Sequence, residues 1–333
     1  MSTKILGVGD VHYRSKNPVH RIDNYEAAIF EKLIEIESLT NLHAVDAVVF
    51  TGDIFSKPEV SIIELVAICG VIKRIKCPVV IIPGNHDIYG YNIDTLERTS
   101  LYLLSLICNN VILLTEDRIL NIHDFILTGQ HYSGKVDVEG HGYDCVKHDV
   151  DKGYWASHTH LHTVHGMLLP DKPIFDKYTL INDVNTTADI VFAGHYHPGW
   201  KTVIKGKTTF VNSGAICRES ATEAEITRKV GISLFEAAGN KHVVTFLPLL
   251  TAKPGNEVLS RIELDEKKEA KLDVAEFNTL LQSRRTGVVF TNVLDMIGAV
   301  AKEKSLEEAV VTKAIKLVTA KQESLSKTEL KLR

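Results

Sequence analysis

Residues 78–90 read PVVIIPGNHDIYG. Val79 to Ile82 form an unbroken apolar, β-branched run that Pro83-Gly84 stops abruptly. A run of this kind between turn signals predicts a fully buried strand. Asn85, His86 and Asp87 then stand at its tip. An amide, an imidazole and a carboxylate at a core edge need partners, which metal coordination or catalysis would supply. Taken alone, the tripeptide reads more readily as a polar turn capping a strand.

Working outward, the same arrangement recurs. Lys4 to Val11 (KILGVGDV) is a short apolar strand that ends in Asp10-Val11-His12, and side chains two apart on an extended chain face one side. Asp46 to Phe50 leads into Thr51-Gly52-Asp53. Helical spacing over Asn24–Leu39, with an Asp23/Asn24 start signal, and over Ser61–Lys76 supplies the crossovers. This β-α-β-α-β order implies a parallel sheet with its ligands along the carboxyl edge.

After Asp94 a helix carrying Leu96, Leu101, Leu104 and Ile107 is expected, followed by strands at Val111–Leu114, Ile119–Ile122 and Phe125–Gly129. Their close spacing predicts entry into a second, more antiparallel sheet. Gly134 to Trp155 reads as a long excursion with one turn of helix. His158, His160, His162 and His165 crowd a strand-like segment, and Asp189–Ala193 is a buried strand ended by Gly194, His195, Tyr196 and His197. Strands at Thr208–Asn212, Ile232–Glu236 and His242–Leu247 follow. Lys253-Pro254-Gly255 marks a boundary between expected domains 1–252 and 256–333. The second opens helices at two capping boxes, Asp273–Glu276 and Ser305–Glu308, and is expected to be small and mainly helical.

With 333 residues, 44% of them hydrophobic, the chain can build one large core and a smaller one. No apolar run approaches the roughly 18 residues of a membrane span, so no membrane partner is expected. The first strand-like segment begins at Lys4, leaving no room for a signal peptide, and a cytoplasmic location is expected. Five cysteines, odd in number and without a CxxC pair, argue against a disulfide framework or a zinc knuckle. A formal charge of −4 neither requires nor excludes a nucleic-acid partner.

The strand ends together offer Asp10, His12, Asp53, Asn85, His86, one histidine of 158–165, His195 and His197. Two carboxylates, an amide and several imidazoles suit manganese, iron or zinc, and they are too many for one tetrahedral ion. Two divalent ions are implied. Only two of the ligands are anionic, so the site would stay positive, attract a phosphate ester and activate a hydroxide.

In their order, the motifs DVH, GD, GNHD and GHYH resemble the signature of the calcineurin-like metallophosphoesterase superfamily. The segments GDIFSKP, VHGML and NSGAICRES are further similar to the SbcD-type DNA-repair nucleases, phage versions included, in which case the location would be the host cytoplasm. The resemblance implies an α/β (α+β) fold of two mixed β-sheets packed as a four-layer αββα sandwich. The helical tail would be a cap or partner-binding region. Residue by residue, it implies that Asp10, His12, Asp53 and His197 hold one ion and Asp53, Asn85, His165 and His195 the other. Manganese is the expected metal, with Fe2+, Zn2+ or Mg2+ as alternatives. His86 would protonate the leaving oxygen. His165 follows the family pattern, although its parity is opposite to that of His158, His160 and His162; His160 or His162 is the alternative ligand. Many relatives carry His or Asp where this chain has Ser56, which puts a supporting role there in doubt and leaves Asp87 unassigned.

The function implied by the resemblance is a DNA exonuclease or endonuclease subunit that works by a two-metal mechanism. Its partners would be DNA, an SMC-like ATPase and a second copy of the chain. A phosphodiesterase or phosphatase acting on nucleotides or phosphoproteins, and a metal-stabilised scaffold without turnover, are the competing readings.

Overall fold

A computed structural model of the chain describes residues 2–138, 140–143, 152–262, 293–304 and 306–329. The chain divides into two compact units, 1–263 and 264–333.

The first unit begins with strand β1 (Thr3–Val8), helix α1 (Tyr25–Leu42), β2 (Ala47–Phe50), helix α2 (Ile62–Ile72) and β3 (Val79–Ile81). Asn24 caps α1 by accepting from the Ala27 amide, and Ser61 with Glu64 closes a capping box at the start of α2. The single helix expected after Asp94 is two: a 3-10 helix, Ile93–Arg98, and α3 (Ser100–Ile107). Thr99 divides them because it is extended and its side chain accepts from the Tyr102 amide, starting a new helix.

β4 (Val111–Leu113) follows, and it pairs in parallel with β3, so this strand completes the first sheet and does not open the second. Next come β5 (Ile119–Ile122), β6 (Phe125–Gln130), β7 (Thr159–Val164), β8 (Leu168–Leu169), β9 (Thr179–Leu180) and β10 (Ile190–Ala193). β11 (Trp200–Lys205), β12 (Thr208–Asn212), β13 (Gly231–Ala238) and β14 (Lys241–Pro248) complete the strands. The first sheet has the order β14-β13-β1-β2-β3-β4 and the second β11-β12-β10-β7-β6-β5.

The four central strands of the second sheet are parallel, contrary to the more antiparallel sheet expected. Long connections between β6 and β7 and between β7 and β10 permit crossovers, whereas tight turns at the margins force the antiparallel pairs β5-β6 and β11-β12.

Period-2 alternation decides which layer each residue enters. Leu6, Val48, Phe50, Val79 and Ile81 face α1, α2 and α3 through Ile29, Ile36, Leu65, Ile68 and Leu101. Ile5, Val49, Val80 and Ile82 face the second sheet through Leu127, Leu161, Ile190 and Phe192. The run Val79–Ile82 is therefore apolar throughout because both of its faces are covered. On the outer side of the second sheet, Val164, Val191 and Phe210 pack under Val136, Tyr143, Leu168 and Ile181. This fourth layer is built mainly from loops and short helical turns such as Lys152–Ser157 and Ile181–Asp183.

In the second unit, helix Val293–Lys304 packs against helix Glu308–Glu329. The Asp273–Glu276 box and the Ser305 end of the other lie outside the described residues. Among the described residues, no helix is long and apolar enough to cross a membrane.

Candidate metal centre

The carboxyl ends of β1, β2, β3, β7 and β10 converge where the two sheets meet. Asp10 and His12 follow β1, and Asp53 follows β2. His12, Asp53 and His195 take left-handed backbone conformations with φ of 49°, 49° and 71°. Non-glycine residues held there cost on the order of 1–3 kcal/mol each, a kind of strain that clusters at functional sites. Gly52, at φ 113°, precedes Asp53, and a Cβ on it would lie 2.6 Å from Nδ1 of His165. Only glycine lets the Asp53 turn and the His165 ring approach this closely.

Two groups of side chains result, with the ligating atoms of each within 4.8 Å of one another: Asp10, His12 and His197, and Asp53, His165 and His195. Asp53 stands between them, with Oδ2 at 3.4 Å from Nε2 of His12 and 3.4 Å from Nε2 of His165. Its Oδ1 accepts from the His86 amide at 2.8 Å. The Asp10 carboxylate is oriented by the Thr51 hydroxyl (3.0 Å) and the His195 amide (2.9 Å). Oδ2 of Asp10 lies 3.6 Å from Nε2 of His197.

His165 is fully buried, and its Nδ1 donates to the Thr51 carbonyl at 2.7 Å. In the neutral ring this leaves the lone pair on Nε2, which faces the Asn85 side-chain oxygen at 2.9 Å. Two acceptors that close require a cation or a proton between or beside them. Nε2 of His12 and Nε2 of His197 are likewise only 3.0 Å apart.

Burial pulls the His12 and His195 imidazoles down to about 3, which keeps both neutral. For Asp53, burial is outweighed by the His165 and His12 rings, and the carboxyl stays ionised well below the usual range. Burial also disfavours charge on His165, but Asp53 overcomes it and lifts the ring to about 10. An ionised carboxylate, the neutral imidazoles of His12 and His195, an amide oxygen and a His165 ring whose proton a metal ion would replace form a set that recruits positive charge, and these residues fit a pair of divalent ions.

His160 and His162 do not reach this centre. They share the parity of Val164, whose side chain joins the outer layer, and both bond Thr128, at 2.8 and 2.7 Å. His162 also contacts the Gly142 carbonyl at 2.8 Å. His165 has the parity of Leu161, which faces the first sheet.

His86 is exposed, sits edge-on to His12 with ring centroids 4.8 Å apart, and forms a third cluster with His12 and Asp53. Its Nδ1 donates to the main-chain oxygen of Ser56 at 3.1 Å. The Ser56 hydroxyl turns the other way and donates to the His12 carbonyl. Asp87 is fully buried and accepts from the amides of Gly84 (3.0 Å) and Phe55 (3.3 Å), tying the loop after β3 to the loop after β2. Burial, then the Asp53 charge, pushes its carboxyl up to about 7.

Sequence reasoning missed several contributors. Tyr132 packs against His195 and His165, with ring centroids at 5.3 and 5.9 Å, and no local pattern marks it. Thr51 orients both Asp10 and His165. Cys217 and Glu219 lie beside His197. Their segment also braces the motifs: Ala215 donates to the His197 carbonyl and Ile216 to that of Asp10.

A sequence profile described as calcineurin-like phosphoesterase matches residues 3–199. No curated protein sequence matches the chain. Among solved structures, a dimetal phosphatase from Danio rerio is similar, with a TM-score of 0.47 at 12% identity over 74% of this chain and 96% of that one. A protein of Thermus thermophilus gives 0.43 at 12% identity over 74% and 99%. A predicted phosphoesterase from Streptococcus pneumoniae gives 0.33 at 17% identity over 74% and 90%.

Proposed function

Because the chain belongs to the calcineurin-like phosphoesterase family, we propose that it is a two-metal phosphodiester hydrolase that cuts DNA as an exonuclease or endonuclease. The observation that carries the hydrolase chemistry is Asp53, whose Oδ2 stands 3.4 Å from histidines of both ligand groups. The DNA assignment rests on the resemblance of GDIFSKP, VHGML and NSGAICRES to the SbcD-type nucleases. All three segments reach the candidate centre: the first carries Asp53 and the Ser56 carbonyl that holds His86, the second carries His165, and the last braces the motifs through Ala215 and Ile216.

Asp10, His12, Asp53 and His197 would hold one ion and Asp53, Asn85, His165 and His195 the other. When bound, two divalent ions, manganese before iron, zinc or magnesium, supply polarisation of the phosphoryl group and hydroxide at neutral pH. The Thr51 carbonyl fixes the His165 tautomer that presents Nε2. The Ser56 carbonyl occupies Nδ1 of His86 and leaves Nε2 to give a proton to the leaving oxygen.

Residues 256–333 form the partner-binding region in this reading and dock an SMC-like ATPase. The formal charge of −4 leaves much of the electrostatic grip on DNA to that partner. A second copy covers α2 and α3, whose Ile62, Ile63, Val66 and Leu106 are 61–81% exposed.

Linear duplex DNA incubated with the protein and manganese tests this reading. Degradation should stop with chelator and fall about 10²–10⁴-fold in His86→Ala. Degradation indifferent to both would overturn it. Hydrolysis of bis-nitrophenyl phosphate without any cutting of DNA, even beside the ATPase, would instead assign a nucleotide or phosphoprotein substrate.

A further inference from the structure

Outside the metal centre, a cavity of about 190 Å³ opens between the first turns of α1, Arg218 and the segment 251–258. Four cations line it, Arg21, Lys32, Arg218 and Lys253, against two carboxylates, Asp23 and Glu31. Ala28 lies one helical turn before Lys32, and its small side chain leaves the space open.

Lys32 is 4% exposed, and its ammonium has no hydrogen-bond or ion-pair partner among the described residues. Burial, and next the neighbouring Arg21, pulls it down to about 8. Arg21 is paired with Asp23 through two 2.7 Å hydrogen bonds. Arg218, also 4% exposed, donates to the main-chain oxygens of Glu225 and Arg228, and the nearby Glu225 carboxylate is itself engaged by Arg228. With Asp23 held by Arg21, the cations Lys32, Arg218 and Lys253 face the cavity against one further carboxylate, Glu31, an excess of positive charge that an incoming anion would offset.

We propose that this cavity binds a phosphate dianion between Lys32, Arg218 and Arg21. None of the candidate metal ligands lines it. Phosphate matches the requirement because it offers several acceptor oxygens and two charges, suited to a guanidinium fork and an ammonium at once. The same chemistry can arrive as inorganic phosphate or as the phosphate of a nucleoside monophosphate. Binding here does not depend on the hydrolase reading.

Occupancy would bear on the neighbouring centre through one loop. Arg218 faces the cavity, while Cys217 and Glu219 on either side of it lie beside His197. The Arg21 guanidinium donates to the Arg218 carbonyl at 3.3 Å, which ties the cavity to this loop.

Equilibrium dialysis of radiolabelled inorganic phosphate and of AMP against the full-length chain tests the site, in chelator so that only metal-independent binding is read. Saturable binding near one per chain is expected. Lys32→Met, which keeps the length and removes a buried charge, should weaken it at least ~10-fold while far-UV circular dichroism stays unchanged. Lys253→Met, at the exposed rim, should weaken it less. Tighter binding of AMP identifies a nucleotide ligand, and equal affinity identifies phosphate alone. Absence of saturable binding at millimolar phosphate, or full binding by a folded Lys32→Met variant, would overturn the proposal. Neither result touches the DNA assay, so failure here and failure of the hydrolase reading are distinguishable.

Discussion

Nδ1 of His86 donates to the main-chain oxygen of Ser56 at 3.1 Å, so the imidazole is steered by backbone and not by the side chain at position 56. Ser56→Ala should therefore keep turnover of bis-nitrophenyl phosphate within about twofold, losing only the hydroxyl bond to the His12 carbonyl, about 1 kcal/mol of stability. His86→Ala, by contrast, should lower kcat about 10²–10⁴-fold. A comparable loss in Ser56→Ala would mean that the serine side chain orients the acid after all.

Asp53 is the carboxylate shared by both ligand groups. Asp53→Asn should lower bound manganese from about two ions per chain to less than one, measured by plasma mass spectrometry after dialysis. His160→Gln, altered on the outer side of the second sheet, should retain both. Equal metal loss in the two variants would remove the distinction between His165 and its neighbours in β7.

The exposed aliphatic face of α2 and α3 leads to a prediction about assembly. Ile63 and Leu106 are 81% and 61% exposed. The wild-type chain should sediment as a dimer at tens of micromolar, and Ile63→Glu with Leu106→Glu should convert it to monomer without loss of fold. A wild-type monomer at that concentration would refute the second-copy assignment.

Lys32 sets a pH dependence of stability. Its folded-state value, about 8, lies below the ordinary 10.5, so between these values the unfolded chain binds more protons than the folded one. Its contribution to stability is therefore complete above pH 10.5 and is lost as pH falls through 8. In chloride buffer, the unfolding free energy attributable to this residue should rise by about 3 kcal/mol across that window. Urea titrations of Lys32→Met should show a flatter profile there. Identical slopes in the two proteins would show that the ammonium is not buried unpaired in solution.

Much of the architecture could be read from local pattern. The first three parallel strands and both intervening helices follow from apolar periodicity, and Asn24 and Ser61 act as the caps their types suggest. Strand pairing could not be read in this way. Val111–Leu113 returns to the first sheet, and the centre of the second is parallel, because pairing is settled by crossovers tens of residues long and not by the strand's own residues.

The amino-acid sequence by itself determined which groups stand at the strand ends, because each ends an apolar run at a turn and so arrives at one sheet edge: Asp10, His12, Asp53, Asn85, His86, His195 and His197. Tertiary structure alone decided the rest. His165 joins them, and His160 and His162 do not, because the two sheets cover opposite faces of β7. Main-chain carbonyls at Thr51 and Ser56 orient two of the histidines, a role that side-chain identity cannot announce. The paired cations Lys32 and Arg218 lie far apart in sequence and meet only because α1 packs beside the loop that follows the last motif. Their burial and their shared cavity are properties of that meeting and not of either segment.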